Sequence, residues 1–376
     1  MRILHVTGVM NIGGTETMLI NLYKKINKNI IFDFISYGDE EGYYDEEIKN
    51  LGGKIIKLES PAKRGLLGSI KDIRSVIKKN GPYNAIHTHM MFNCGVAMIA
   101  GFISGIKIRV SHAHTTADNS ESLIRRIYIC TMRVIIRIFS TKFLACSNGA
   151  AKYLFGEDII DNKKYKILPN YIDYSQFIRS ENKESLRQEL KIEDDDIVIT
   201  HIGRFIPVKN HIFLIDIIHE MIQNNKNIKL VLVGIGDLQE KIKNRVKEYG
   251  IENNIYFLNI RKDISNILHS TDLFILPSIS EGLGLVLLEA QASNVRCLVS
   301  EAIQPEVDLG VGLINTIRLD ESPKIWAKTA FNILDKKKSN TFELKKAIKN
   351  KRYDLNSIIN ILSNIYKINL DVSEEL

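Results

Sequence analysis

Short apolar runs that end in turns alternate with helix-forming stretches along this chain, and the alternation starts afresh near residue 197. Ile3-Leu4-His5-Val6 opens the series, and Phe32–Tyr37, Gly53–Leu58, Asn84–His89, Ile108–His114 and Phe143–Ser147 continue it. Met18, Leu19, Leu22 and Tyr23 recur at helical spacing after the first run, and helices are predicted at 43–51 and 66–80. The second series runs through Ile197–Ile202, Lys229–Val233, Ile255–Leu258 and Leu273–Leu276, again with helical stretches between. Strands that alternate with helices demand a parallel sheet wound on both faces, and such sheets hold ligands at the carboxyl ends of their strands. With 376 residues, the repeated pattern predicts two such α/β domains.

The most informative strand end follows Leu273-Phe274-Ile275-Leu276-Pro277. There Ser280-Glu281-Gly282-Leu283-Gly284 forms a turn, and Leu285 to Ala292 are good helix formers. A strand, a glycine turn and a helix start together suit an anion, because free N–H groups and the positive end of the dipole face the gap. Glu281 and Glu289 bracket that start. Carboxylates beside an anion site are costly unless they bind hydroxyls, so phosphate on amides and hydroxyls on carboxylates describes a sugar nucleotide. The plain alternative is two solvated glutamates.

Other loops add to this. Gly8 to Glu16 is a strand–glycine–helix junction in which Gly13 and Gly14 let backbone approach a ligand, or simply make a turn. It lacks the spacing of the dinucleotide fingerprint, and in Gly234-Ile235-Gly236 a glutamine, Gln239, stands where a third glycine belongs. Two strands end in histidine pairs, His87/His89 and His112/His114. Each pair is read as split between the two faces of the sheet, and neither has an acidic neighbour, so no metal site is expected. His89 and His114 are expected to face the ligand. Asp194-Asp195-Asp196 is read as a polar turn.

Charge narrows the partners. Residues 1–175 carry 24 Lys/Arg against 16 Asp/Glu, a balance of +8, whereas residues 176–376 carry 27 against 28, a balance of −1. A basic first half can meet nucleic acid, anionic lipid or an anionic substrate. No aromatic-basic platform or DNA-binding motif is present, which disfavours nucleic acid. Residues 121–142 place Arg125, Arg126, Arg133, Arg137 and Lys142 among apolar residues at helical spacing. This reads as a helix for a membrane surface, or as a packed helix with a solvated basic face. No signal peptide or membrane-spanning run is seen, so a cytoplasmic protein is expected. Cys94, Cys130, Cys146 and Cys297 form no metal-ligand spacing and read as reduced, mostly buried thiols.

Taken together, the Gly13-Gly14 loop, Leu168-Pro169-Asn170-Tyr171-Ile172-Asp173, Gly203-Arg204 with Lys209, Gly234-Ile235-Gly236 and Ser280-Glu281-Gly282 through Glu289-Ala290 resemble the family-4 retaining glycosyltransferases of the GT-B fold. Ser111-His112-Ala113-His114-Thr115-Thr116 resembles bacterial exopolysaccharide and capsule members. The resemblance implies two Rossmann-like domains facing across a cleft: an acceptor-side domain at 1–173, a nucleotide-sugar domain at 174–354, and a terminal helix at 355–376 returning to the first. It implies a metal-independent, retaining hexosyltransferase that moves sugar from a nucleotide diphosphate, most simply UDP, to a lipid-linked glycan. In it, Arg204 and Lys209 take the diphosphate with the amides of Leu285 and Val286. Glu289 binds ribose, Glu281 binds sugar hydroxyls, Arg261 lies near the base, and His114 positions the sugar. Gly13, Gly14, Gly203 and Gly282 bring backbone close to the donor. The family's glycine-rich loop is replaced here by Glu301-Ala302-Ile303-Gln304 before Pro305-Glu306, a departure that bears on donor contacts. An epimerase of the same fold and a non-catalytic binding module are the rival readings. Loss of Arg204, Lys209 or Glu281 would mark the module, and all three are present.

Overall fold

The computed structural model describes residues 1–26, 30–116, 122–178, 184–334 and 340–367. Two compact units divide the chain, Met1–Ile172 with Arg352–Leu376 and Asp173–Lys351. The changeover at 172/173 lies just after the Leu168-Pro169-Asn170 turn.

The first unit contains a parallel sheet of β1 (Arg2–Thr7), β2 (Ile31–Tyr37), β3 (Ile55–Leu58), β4 (Ala85–Thr88), β5 (Ile108–Ala113), β6 (Lys142–Ala145) and β7 (Tyr165–Ile167). The strands lie in the order β3-β2-β1-β4-β5-β6-β7. Order reverses between β1 and β4, and that switch point opens the crevice in which such sheets hold ligands. Strands covered on both faces read as continuous apolar runs rather than alternating ones, which is why Ile3, Leu4 and Val6 are all buried. The helix Leu355–Tyr366 belongs to this unit: Ile358, Ile359, Leu362, Ile365 and Tyr366 share one core with Ile3, Leu19, Tyr23, Phe32 and Phe34. Residues 368–376, expected as the rest of the terminal helix, lie outside the described residues.

The second unit repeats the pattern with β8 (Ile197–Ile202), β9 (Ile228–Val233), β10 (Ile255–Phe257), β11 (Leu273–Leu276), β12 (Arg296–Ser300) and β13 (Ile314–Ile317). Its order, β10-β9-β8-β11-β12-β13, places its switch point between β8 and β11. Its core gathers Ile199, Leu214, Ile218, Leu230, Leu232 and Trp326.

The helix Leu123–Phe139 departs from a fully packed element. Only Met132 and Ile136 are buried. Leu123, Ile124, Ile127, Val134 and Ile138 are exposed by 56–80% and recur on one side of the helix, so they form an apolar stripe. Part of its positive charge is also spent within the protein. Arg137 pairs with Asp158 at 2.5 Å, Arg133 donates to the Tyr153 carbonyl at 2.7 Å, and Arg125 lies over the rings of Phe92 and Tyr128. Cys94, Cys146 and Cys297 are buried free thiols, and Cys130, on this helix, is an exposed one.

Candidate active site

The loops after β8 and β11 lie side by side at the switch point of the second unit. The Ile279 amide donates to the Val208 carbonyl at 2.8 Å and ties them together. Lys209 closes a short 3-10 turn, Pro207–Lys209, and its ammonium donates to Glu281 Oε1 at 2.5 Å. Ser278 Oγ donates to the same oxygen at 2.8 Å, and Ser300 Oγ holds the Ser278 carbonyl at 2.6 Å. These serines were not singled out from the sequence; hydroxyls in turns are too common to stand out. Arg204 is exposed and has no side-chain partner among the described residues. One cation is thus held and partly buried, and the other stands open to solvent.

Why Arg204 projects there is explained by Gly234 and Gly236. At Gly234, with φ +142°, a Cβ would stand 2.1 Å from the Gly203 carbonyl oxygen, and at Gly236 it would stand 2.5 Å from that of Phe205. The amide of Phe205 donates to the Ile235 carbonyl and that of Leu238 to the Phe205 carbonyl. The glycine pair therefore serves close backbone approach, with the loop after β9 pressed onto the loop that carries Arg204.

Gly284 begins the helix Leu285–Ala292 in the left-handed region, at φ 87°, ψ 63°, and its N-cap residue offers no side-chain hydrogen bond. The turn makes a bulky residue at 284 unfavourable, and the helix presents its first N–H groups without a capping acceptor from that position. Glu289 stands a turn into this helix, and burial pushes its carboxyl up to about 7. Nearby, burial holds His201 down at about 3 and His211 at about 2. Both imidazoles are therefore neutral at pH 7. Gly282 sits half-buried in the turn.

Arg261, expected near the base, lies in the loop after β10. Its guanidinium is engaged by Glu189 at 2.6 Å and by Asp263 at 2.7 Å, which fastens the loop after β10 to the helix Glu184–Leu190. The stretch without glycines is also accounted for. None of Ala302, Ile303 and Gln304 takes a positive φ, so no glycine is required for backbone reasons. Gln291 anchors the segment after Pro305 by donating to the Val307 carbonyl and accepting from the Leu309 amide.

In the first unit, Gly13 caps the helix Gly14–Lys25 with an extended backbone. A Cβ at Gly14 would meet nothing within 4 Å, so protein packing does not demand glycine there and the space is open to a ligand. The histidines correct the sequence reading. Residues two apart on a strand share a face, and parallel pairing sets His5 opposite His87. His5, His87, His89, His112 and His114 therefore form one group across β1, β4 and β5, with the His112 and His114 ring centroids 3.9 Å apart. His89 Nδ1 and His114 Nε2 are 2.8 Å apart, His5 Nδ1 and His89 Nε2 are 3.2 Å apart, and His87 Nδ1 meets the Tyr366 hydroxyl at 2.6 Å. One ring nitrogen from each of His5, His87 and His89, or of His89, His112 and His114, lies within 4.8 Å of the others, which is close enough to hold an ion. Among the described residues no carboxylate joins either triplet. His5, His87 and His112 are buried, whereas His89 and His114 are half-buried at the strand ends. Burial holds His5 and His114 at about 3 and the other three well below the usual imidazole value.

Two cations, a helix start and a carboxylate meet at the switch point of the second unit's sheet, a grouping whose chemistry suits an anion that carries hydroxyls. Residues 12–176 match the model described as Glycosyltransferase Family 4, and residues 182–309 match that of Glycosyl transferases group 1. The chain is 32% identical over 375 residues to the putative glycosyltransferase EpsF of Bacillus subtilis (strain 168), covering 98% of this chain and 97% of that one. It is 29% identical over 242 residues to the UDP-Gal:alpha-D-GlcNAc-diphosphoundecaprenol alpha-1,3-galactosyltransferase of Escherichia coli, covering 61% and 62%. The crystal structure of Anabaena Alr3699/HepE in complex with UDP superposes with a TM-score of 0.77 at 19% identity, over 98% of this chain and 100% of that one. The chain belongs to the glycosyltransferases of the GT-B fold, and its activity is sugar transfer.

Proposed function

We propose that this glycosyltransferase is retaining, needs no divalent metal at the diphosphate, and moves a sugar from a UDP-sugar to a polyprenyl-diphosphate-linked glycan during cell-surface polysaccharide synthesis. The observation that carries this reading is the grouping of Lys209, Arg204 and an uncapped helix start at one switch point. Two cations and a helix dipole can stabilise the charge that grows on the leaving diphosphate. HepE was crystallised in complex with UDP, and the name of the Escherichia coli relative includes a diphosphoundecaprenol acceptor. Glu281 serves the sugar hydroxyls, and Glu289 serves the ribose. His114 is the first unit's candidate for positioning the transferred sugar.

Retention has a physical argument. A glycosyl-enzyme needs a carboxylate nucleophile behind the anomeric carbon. Among the described residues, segments 8–14, 89–93 and 114–116, which lie after β1, β4 and β5, contain no Asp or Glu. Retention without such a carboxylate requires the acceptor oxygen to attack from the face that the diphosphate leaves, with the departing phosphate oxygen taking its proton. An NMR spectrum of the product is expected to show the donor's anomeric configuration. An inverted product, or a trapped covalent glycosyl-enzyme, overturns the mechanism. Release of an epimerised sugar nucleotide without acceptor would instead favour the epimerase reading.

The lipid acceptor has a matching surface. No described helix is long and apolar enough to cross a membrane. The exposed stripe on Leu123–Phe139, with Arg126 beside it and with Leu66 and Leu67 exposed by 45% and 81%, suits the headgroup region at the inner face of the cell membrane. Each basic residue near an anionic leaflet contributes about 1 kcal/mol. Sedimentation with phosphatidylglycerol vesicles is expected to carry the protein down at physiological salt. Binding should weaken when Ile124 and Ile127 become Ser, and again when Arg126 becomes Gln. Equal binding to neutral and anionic vesicles, or binding to neither, refutes the surface.

A further inference from the structure

We propose that His5, His87 and His89 form a binding site for one late first-row divalent ion, zinc before the others, which pins β1 to β4 and is braced by the terminal helix. The site belongs to the first unit and goes beyond the sugar-transfer reading, whose metal-free diphosphate concerns residues of the second.

Strand register makes the grouping. Parallel pairing sets His5 of β1 opposite His87 of β4, and His89 follows His87 by two residues, on the same face. One ring nitrogen from each lies within 4.8 Å of the others. The three ring centroids stand 4.4, 5.2 and 5.4 Å apart. Nitrogens bound to one tetrahedral zinc are separated by about 3.4 Å, given Zn–N distances of about 2.1 Å. His5 Nδ1 and His89 Nε2 are 3.2 Å apart, close to the spacing an ion requires.

The outer nitrogens are held as those of metal-binding imidazoles usually are, by a hydrogen bond that fixes the ring. His87 Nδ1 meets the Tyr366 hydroxyl at 2.6 Å, and His89 Nδ1 meets His114 Nε2 at 2.8 Å. Each of these contacts leaves the Nε2 of its ring for the ion. His87 Nε2 and His5 Nε2 have no partner among the described residues, although both residues are only 1% exposed. Buried nitrogens without a partner are costly, and an ion supplies one. The second triplet, His89, His112 and His114, lacks this bracing, because neither ring nitrogen of His112 is engaged among the described residues. Three imidazoles with no carboxylate among the described residues suit zinc, copper or nickel rather than magnesium or calcium, which take oxygen ligands. A fourth position remains for water.

Untagged full-length protein, loaded with zinc and then dialysed, is expected to retain about one zinc per chain by atomic emission. Cobalt should give the visible bands of a four-coordinate ion, and zinc should displace it. Zinc should raise the melting temperature of chelator-treated protein by about 5 °C or more. His5→Gln and His87→Gln should each lower the retained zinc by about tenfold or more, whereas His112→Gln should keep it. Tyr366→Phe keeps the ring in the core and removes only the hydroxyl, so zinc should bind about tenfold to a hundredfold more weakly. That variant carries the test if a histidine variant fails to fold. Wild type that retains no zinc overturns the proposal. So does zinc that persists in His5→Gln and His87→Gln, which marks an adventitious ion only. Loss of zinc from folded His112→Gln, or unchanged affinity in Tyr366→Phe, overturns it as well. None of these readouts involves sugar transfer, so a failure here leaves the diphosphate site as it stands.

Discussion

Lys209→Ala and Arg204→Ala are each expected to lower sugar transfer by about 10²–10³ in kcat with no divalent metal added, the range for losing one preorganised donor to a developing oxyanion. The two differ in the free enzyme. Arg204 is exposed, so its loss removes a cation and little else. Lys209 is only 16% exposed and holds Glu281, itself 11% exposed, at 2.5 Å. Lys209→Ala therefore also leaves a partly buried carboxylate without its cation, and a lower melting temperature is expected for that variant alone. Near-normal turnover in both variants would remove these residues from the diphosphate site. A wild-type rate that depends on added Mg²⁺ would show that a metal shares their task.

The second large effect is expected from pH. Burial pushes Glu289 up to about 7, whereas a free glutamate titrates near about 4.3. Ribose hydroxyls bind better to the carboxylate than to the acid. Affinity for UDP-glucose should therefore fall as pH drops below about 7, by up to about tenfold per pH unit. The diphosphate diester of the probe does not titrate in this window, and His201 and His211 are already neutral. Glu289→Gln should bind weakly and without this slope. The stability of the unliganded protein should move the opposite way. The folded state favours the protonated acid, so this group's contribution is fully present below about pH 4 and is lost as pH rises through about 7. The loss should be on the order of 2 kcal/mol, because the carboxyl keeps some solvent. Calorimetric titration of wild type and Glu289→Gln from about pH 5 to about pH 8 checks both signs. Parallel curves would show that Glu289 does not carry the dependence.

The fold was legible because alternation is a local property. Apolar runs, glycine turns and helical spacing specify each strand and helix before any long-range contact is known, and two series of them specify two parallel sheets. Lys209 and Glu281 were legible for the same reason, as each lies in a loop directly after a strand. What could not be read were properties of pairing between strands. His5 looks like any core residue until register sets it opposite His87, and only then do five histidines become one group. The employment of Arg261 likewise depends on Glu189, 72 positions away. The helix Leu123–Phe139 was visible as basic and amphipathic, but its spacing could not say that the apolar face would stay exposed while several arginines found partners.

The helix Leu355–Tyr366 places part of the first unit's core nearly two hundred residues beyond the rest of it. During translation, the sheet of β1 to β7 leaves the ribosome without some of the side chains that pack against it. The second unit is continuous in sequence and emerges entire before that helix does. The last unit to begin folding is thus the first able to finish. Until Tyr366 is made, the hydroxyl that meets His87 is missing, so the unit bearing the histidine group cannot complete its core before the whole second unit has been synthesised.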